Sequence, residues 1–296
     1  MSAGLPALEL SDRQISAIGV GTARLGAFWQ GRSIADGRCA VETACQLGVS
    51  MLDTADVYAR GIAERIIGSA AARHQDALII TKAGLLKTPA ALLKTRSLGI
   101  GGGQPLSGLK PAQMAGKCFH PEYLRWAADR SSSRLKQETL DVFLLHEPDE
   151  DVLRDHAAAE ALLQLRAEGR IRRWGVSVRS AREAAAAMEL PEMSWLQIPA
   201  AVLESPEFDL VAGHPRRAGV VVQAMAITGP GHAMLHGGAA LPQDRIAWSA
   251  KAVLDRGRAD SVLIGMSSGR RVYQNVTALQ RAYRDTGPVA ANGVPR

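Results

Sequence analysis

What most constrains this chain of 296 residues is a rhythm. Eight short, nearly continuous apolar runs are separated by longer stretches: Ser16–Val20, Val49–Asp53, Ala77–Lys82, Asp141–His146, Arg173–Ser177, Trp195–Ile198, Val220–Gln223 and Ser261–Gly265. Strands buried on both faces of a parallel sheet read this way, whereas strands with one wet face alternate apolar and polar residues. Helical spacing fills the intervals, over Asp36–Leu47, Ala63–Arg73, Pro121–Lys136, Asp151–Glu168, Ala181–Glu189, Gln243–Asp255 and Arg271–Tyr283. Gly48 stands where a helix C-cap is needed, and Pro121 and Pro242 where helices start. Eight strands, most followed by a helix, predict an α/β chain closed as a single (β/α)8 TIM barrel over residues 1–296. Ala7–Ile18 holds two short β-like pieces around Ser11-Asp12, and a hairpin plugging the barrel floor is expected there.

Composition works by exclusion. Apolar residues make up 47% of the chain and aromatics only 4%, so the core is built from Ala, Leu, Val and Ile. No run of eighteen apolar residues occurs, which argues against a spanning helix and a membrane partner. The first residues, MSAGLPALELSDR, lack a basic region followed by an apolar one, so a cytoplasmic chain is expected. Cys39, Cys45 and Cys118 are an odd set without a CxxC pair, as in reduced thiols. Cys118-Phe-His120 lacks a second half for zinc, so no metal is expected. The net charge of +6 comes from scattered residues. Its densest pairs, Arg172-Arg173, Arg216-Arg217 and Arg270-Arg271, lack interleaved aromatics and read as solvated helix ends and loops rather than a nucleic-acid face. Nothing in the composition bears on oligomeric state.

One irregularity breaks the rhythm. Gly84–His120 carries Gly99, Gly101, Gly102, Gly103 and Gly108 with Pro89, Pro105 and Pro111. It contains neither a P-loop nor a GxGxxG fingerprint. A connection this long is either a functional flap or a loose insertion. It leaves directly after Lys82, on the side of the barrel where chemistry belongs.

Barrel enzymes place their chemistry at the C-terminal ends of strands. Reading those ends gives Asp53, Lys82, His146, Ser177 and Gln197, with Tyr58 just beyond the Asp53 strand. Buried charged groups are costly unless paired, so Asp, Lys and His at neighbouring ends suggest groups that satisfy one another. A tyrosine's ordinary pKa is about 10, and an ammonium beside it is expected to lower that value. Lys82 would supply the ammonium, Asp53 would hold Lys82, and a histidine beside the phenol would orient a carbonyl oxygen. Such a set suits proton transfer to a carbonyl oxygen, with hydride supplied by a nicotinamide cofactor. Taken singly, Asp53 reads equally as a capping acid, Tyr58 as a rim aromatic and His146 as a core histidine. Lys82 is also chemically able to form a Schiff base, as in an aldolase.

Four separated motifs carry a family resemblance. Asp53-Thr-Ala-Asp-Val-Tyr58, followed by Gly61, Glu64 and Gly68, is similar to the DTAxxYG…E…G signature of the aldo-keto reductases. Ile80-Thr81-Lys82 resembles the lysine strand of that family, Leu144-Leu145-His146 its histidine strand, and Trp174-Gly-Val-Ser177 the strand that reaches the nicotinamide carboxamide. Tyr123-Leu-Arg, Ser133-Arg-Leu and LLHEPD lean towards its bacterial sugar-dehydrogenase-like branch. The resemblance implies Tyr58 as general acid/base, Lys82 tuning it, Asp53 supporting Lys82 and His146 orienting the carbonyl. It further implies NADP(H) rather than NAD(H), with Ser177 and Gln197 near the nicotinamide. The segment Leu263–Asn275 resembles the one that binds the adenosine 2′-phosphate, which assigns Gly265 to the cofactor site, Ser267, Ser268 and Arg271 to the phosphate and Gln274 and Asn275 to the adenine. A small carbonyl or alcohol substrate follows. A regulatory protein that binds NADPH with little turnover is the other reading, because Val178 stands where the family usually has asparagine and Gln223–Thr228 offers no aromatic to stack on nicotinamide.

Overall fold

The computed structural model describes residues 4–26, 33–99, 116–227, 242–265 and 268–286. Eight parallel strands close into a ring in chain order: β1 Ile18–Gly21, β2 Met51–Asp53, β3 Leu78–Ala83, β4 Leu140–His146, β5 Ile171–Ser177, β6 Trp195–Pro199, β7 Val221–Met225 and β8 Ser261–Gly265, which pairs back with β1. The expected barrel is therefore present, with strand bounds displaced by a few residues. Helices α1 Ile34–Gln46, α2 Ile62–Ala71, α3 Pro89–Ser97, α4 Pro121–Leu135, α5 Glu150–Asp155, α6 Ala157–Ala167, α7 Ala181–Met188, α8 Ala200–Leu203, α9 Asp209–Ala212, α10 Pro242–Asp255 and α11 Gly269–Thr286 lie along the chain between and after them. No described helix is long and apolar enough to cross a membrane.

Side chains alternate across a strand, so each strand contributes two rows. The outward row, with Leu52, Ile79, Phe143, Leu145 and Val176, packs under the helices. The inward row supplies Met51, Leu78, Ile80, Val142, Leu144, Trp195 and Leu263 to a separate interior cluster. The hairpin Ala7–Glu9 with Gln14–Ser16 closes the floor by adding Ile15 to that cluster, with Leu8 and Leu10 against it.

Two expectations change. The single helix expected over Asp151–Glu168 is two, because His156 is left-handed (φ 62°) and separates α5 from α6. The connection after β3 is not featureless. Leu85–Leu86 pairs antiparallel with Gly116–Lys117, and α3 lies between them, capped by Thr88, whose side chain accepts from the Ala91 N–H. Its stem closes at Gly84 (φ 132°), where an added Cβ would lie 2.2 Å from the Phe119 ring. The glycine cluster at 101–103 and Pro105, Gly108 and Pro111 lie outside the described residues. His120 serves as the N-cap of α4, accepting from the Glu122 N–H.

Candidate active site

Several inward rows change character at their last residue. On β2 Met51 is followed in the row by Asp53, on β3 Leu78 and Ile80 by Lys82, on β4 Val142 and Leu144 by His146, and on β6 Trp195 by Gln197. The interior is thus apolar below and polar at the C-terminal end. Lys82 is 1% exposed and Asp53 3%. Lys82 Nζ donates to Asp53 Oδ2 at 2.6 Å and to Thr54 O at 2.7 Å. The same Asp53 oxygen accepts from Gln197 Nε2 at 2.6 Å. Tyr58 closes over this pair, with Lys82 Nζ 5.3 Å from its ring centroid. The His146 ring meets the Tyr58 ring edge-on, 5.9 Å between centroids at 84°. All four residues of the expected constellation are brought together.

The electrostatics depart from expectation at one point. The Tyr58 phenol is pushed up, not down: burial acts most, followed by the carboxylates of Asp53, Glu147 and Asp56. Lys82 directs N–H groups at Asp53 and Thr54, and Asp53 offsets its charge. Burial pushes Lys82 itself down, against the opposing pull of Asp53. His146 is held well below the imidazole range by burial and by the charges of Lys82, Lys87 and Lys117, so its ring is neutral at pH 7.

The backbone that carries Tyr58 is unusual. Ala59 (φ 47°), Arg60 (φ 56°) and Gly61 (φ 84°) are three successive left-handed residues. Gly61 is needed on two counts, since an added Cβ there would lie 2.9 Å from Arg134 Cδ. The Arg134 side chain passes beneath the turn to Glu64, which is fully buried. Glu64 Oε2 accepts from Arg134 Nε at 2.5 Å and Oε1 from Thr81 Oγ1 at 2.7 Å. Glu64 is therefore one side of a buried ion pair as well as an acid at a helix start. Burial and the Glu64 charge push the nearby Asp56 carboxyl well up. Glu64's partners, with Asp56, Trp195 and Gln223, were not singled out from sequence. The available signal was positional: Thr81 lies on the outward row of β3, facing helices, where a polar residue needs a partner.

The residues expected near a cofactor fall in two places at the same end of the barrel. Ser177 and Gln197 are register partners at the tops of β5 and β6, both buried. Gln197 Oε1 has no hydrogen-bond partner among the described residues, nor has His146 Nδ1. Val178 is buried in the outer core. Met225 lies against the interior cluster at the end of β7, Ile227 joins the outer core, and Thr228 is outside the described residues. The second place is the corner from β8 into α11. Gly265 is exposed there and an added Cβ would meet nothing within 4 Å. Ser268 Oγ accepts from the Arg271 N–H at 3.4 Å, Arg271 is exposed, Gln274 is half-buried and Asn275 buried. Ser267 lies outside the described residues.

A groove of about 780 Å³ at the opposite end of the barrel is lined by Arg166, Arg172, Arg173 and Arg216. These side chains are not simply solvated, as Arg172-Arg173 and Arg216-Arg217 were expected to be. Arg173 pairs with Asp12, Arg172 with Asp141, Arg166 with Glu192 and Arg217 with Asp260, while Arg216 donates to the carbonyls of Met188 and Leu190. They fasten floor elements to one another.

Comparison with known proteins gives the family. The sequence is 30% identical over 174 residues to the uncharacterized oxidoreductase YqkF of Bacillus subtilis (strain 168), covering 57% of this chain and 47% of that protein. It is 28% identical over 166 residues to the methylglyoxal reductase YeaE of Escherichia coli (strain K12), covering 56% of this chain and 46% of that protein. The chain thus spans about half the length of the curated relatives it matches. In fold it resembles the glycerol dehydrogenase AKR11B4 from Gluconobacter oxydans, with a TM-score of 0.68 at 20% identity, covering 100% of this chain and 98% of that one. Residues 17–231 match the model of the Aldo/keto reductase family, and the chain belongs to that family.

Proposed function

We propose that this chain is an NADP(H)-dependent oxidoreductase that interconverts a carbonyl compound (an aldehyde, ketone or sugar) and the corresponding alcohol, with Tyr58 as general acid/base. The observation that carries the reading is Tyr58 set over Lys82 and against His146, with Asp53 anchoring Lys82. Family membership supports the reaction class, as does a methylglyoxal reductase among the relatives.

When bound, the cofactor supplies the hydride that no side chain can. The protein's own residues handle the proton. Tyr58, with its pKa pushed up, stays protonated and donates to the carbonyl oxygen. The Lys82 ammonium, held by Asp53, offsets the charge left on the phenol oxygen. The neutral His146 ring orients the carbonyl by donating a hydrogen bond. Gln197 Oε1, buried and without a partner, suits a carboxamide N–H, with Ser177 beside it and Met225 as apolar wall. The N-terminus of α11 with Ser268 and Arg271 suits a 2′-phosphate, since helix N–H groups and a guanidinium both favour a dianion. That corner, with Gln274 and Asn275 for the adenine, favours NADP(H) over NAD(H).

The test is turnover of a panel of aldehydes, ketones and sugars with NADPH and with NADH, alongside Tyr58→Phe. The variant should lose about 100-fold or more in kcat while binding NADPH as wild type does. A fully active variant refutes the role of Tyr58. NADPH binding without turnover of any tested compound replaces the enzyme reading with a regulatory one. Preference for NADH refutes the phosphate site.

A further inference from the structure

Two glutamines and a tryptophan lie beneath the site in a line of hydrogen bonds that the reaction itself does not use. Gln197 on β6 and Gln223 on β7 are register partners, both fully buried, as is Trp195 on the inward row of β6. Trp195 Nε1 donates to Gln223 Oε1 at 3.2 Å, and Gln197 Nε2 donates to that same oxygen at 2.8 Å. Gln223 Nε2 turns the other way, to Ser261 Oγ at 3.0 Å and to Met51 Sδ.

The chemistry of the indole sets the direction of this chain. An indole N–H only donates, so the Gln223 atom facing it must be the carbonyl oxygen. Gln197 then meets two acceptors, Gln223 Oε1 and Asp53 Oδ2, so its amide nitrogen serves both. Its Oε1 is the atom left over, buried and without a partner among the described residues. Either glutamine alone fits a cavity in two orientations; together with Trp195 they fit in one.

We propose that Gln223, held by Trp195, is a positioning residue that fixes the Gln197 amide so that the top of β6 presents an acceptor, able to receive an N–H donor from a primary carboxamide. This rests on the NADP(H) reading, because the nicotinamide carboxamide is the group concerned. Among the described residues Gln223 makes no hydrogen bond to Tyr58 or His146, and its effect is exerted through Gln197.

The experiment is calorimetric titration of wild type, Gln223→Leu and Gln223→Glu with NADPH and with adenosine 2′,5′-bisphosphate, after circular dichroism has established that each is folded. Gln223→Leu removes the shared acceptor and should weaken NADPH about three- to tenfold, the range for one hydrogen bond. It should leave the bisphosphate within about twofold, since that ligand carries no carboxamide. Gln223→Glu keeps an acceptor towards Trp195 and Gln197 and should bind NADPH nearly as wild type does. A Gln223→Leu protein that binds NADPH unchanged, or that weakens for both ligands alike, overturns the proposal. A Gln223→Glu protein as weak as Gln223→Leu overturns the acceptor argument. Wild type that fails to bind NADPH overturns the cofactor reading on which the proposal stands.

Discussion

Asp53→Asn tests the site at its electrostatic centre. Among the described residues Asp53 is the only carboxylate bonded to Lys82, and Thr54 O is the other acceptor of that ammonium. At 2.6 Å the gross attraction is about 6 kcal/mol at an effective dielectric of about 20, most of it offset by desolvation of both groups. Removing one partner is a different matter, because a buried charge is then left uncompensated, at a cost of about 3–5 kcal/mol. Lys82 has one escape, which is to shed its proton. Burial already pushes its pKa down, and loss of Asp53 lowers it further. A lysine whose folded pKa lies below its unfolded value contributes stability that is lost as pH falls, because the unfolded chain then binds the extra proton. Between the lowered folded value and the ordinary lysine range of about 10.4 the slope is about 1.4 kcal/mol per pH unit. Urea unfolding of wild type and Asp53→Asn at pH 6, 7.5 and 9 reads this directly. The deficit should be about 3–5 kcal/mol at pH 6 and shrink towards pH 9, by as much as about 4 kcal/mol. A deficit under about 1 kcal/mol at every pH, the range of an exposed pair, would refute the argument, and so would a deficit that grows as pH rises.

Two further predictions concern the scaffold behind Tyr58. Arg134→Met leaves the fully buried Glu64 carboxylate with Thr81 alone and should cost about 3–5 kcal/mol in urea unfolding; adding Glu64→Met should recover most of it, and a double variant no more stable than the single one counts against a buried ion pair. Ala59 sits at φ 47° and ψ 36°, a conformation costing an L-residue roughly 1–2 kcal/mol. Ala59→Gly removes that strain but adds freedom to the unfolded chain worth about 0.4–1 kcal/mol. The net effect should be a stabilisation of about 1 kcal/mol or less, and a lower urea midpoint than wild type would show that the turn imposes no strain.

The barrel was legible because its strands are apolar on both faces, a pattern few other architectures demand. Where the reading missed, local and tertiary signals conflicted. Asp155-His156-Ala157 contains neither glycine nor proline, so nothing in it announces that His156 is left-handed and splits the helix. Thr88-Pro89 is an ordinary helix start, but the glycines downstream hide it, and α3 passed as loop. Helices α8 and α9 are four residues each, too short for a periodicity to form.

The site was legible as far as strand ends reveal it. Asp53, Lys82, His146 and Gln197 each interrupt an inward apolar row at its last position, and the rule of alternating faces then brings them together. That rule gives the side of the sheet on which a group lies, and nothing about the order in which neighbouring groups satisfy one another. An ammonium near a phenol pulls its pKa down, but burial and neighbouring carboxylates can outweigh that pull. Here Asp53 and Thr54 take the Lys82 N–H groups, and burial with three carboxylates decides the direction for Tyr58. The consequence reaches the proposed chemistry. A phenol held protonated is ready to donate, so carbonyl reduction should proceed at neutral pH without a titrating step on Tyr58. Alcohol oxidation needs the phenolate as base and should therefore rise with pH across the range in which the fold survives.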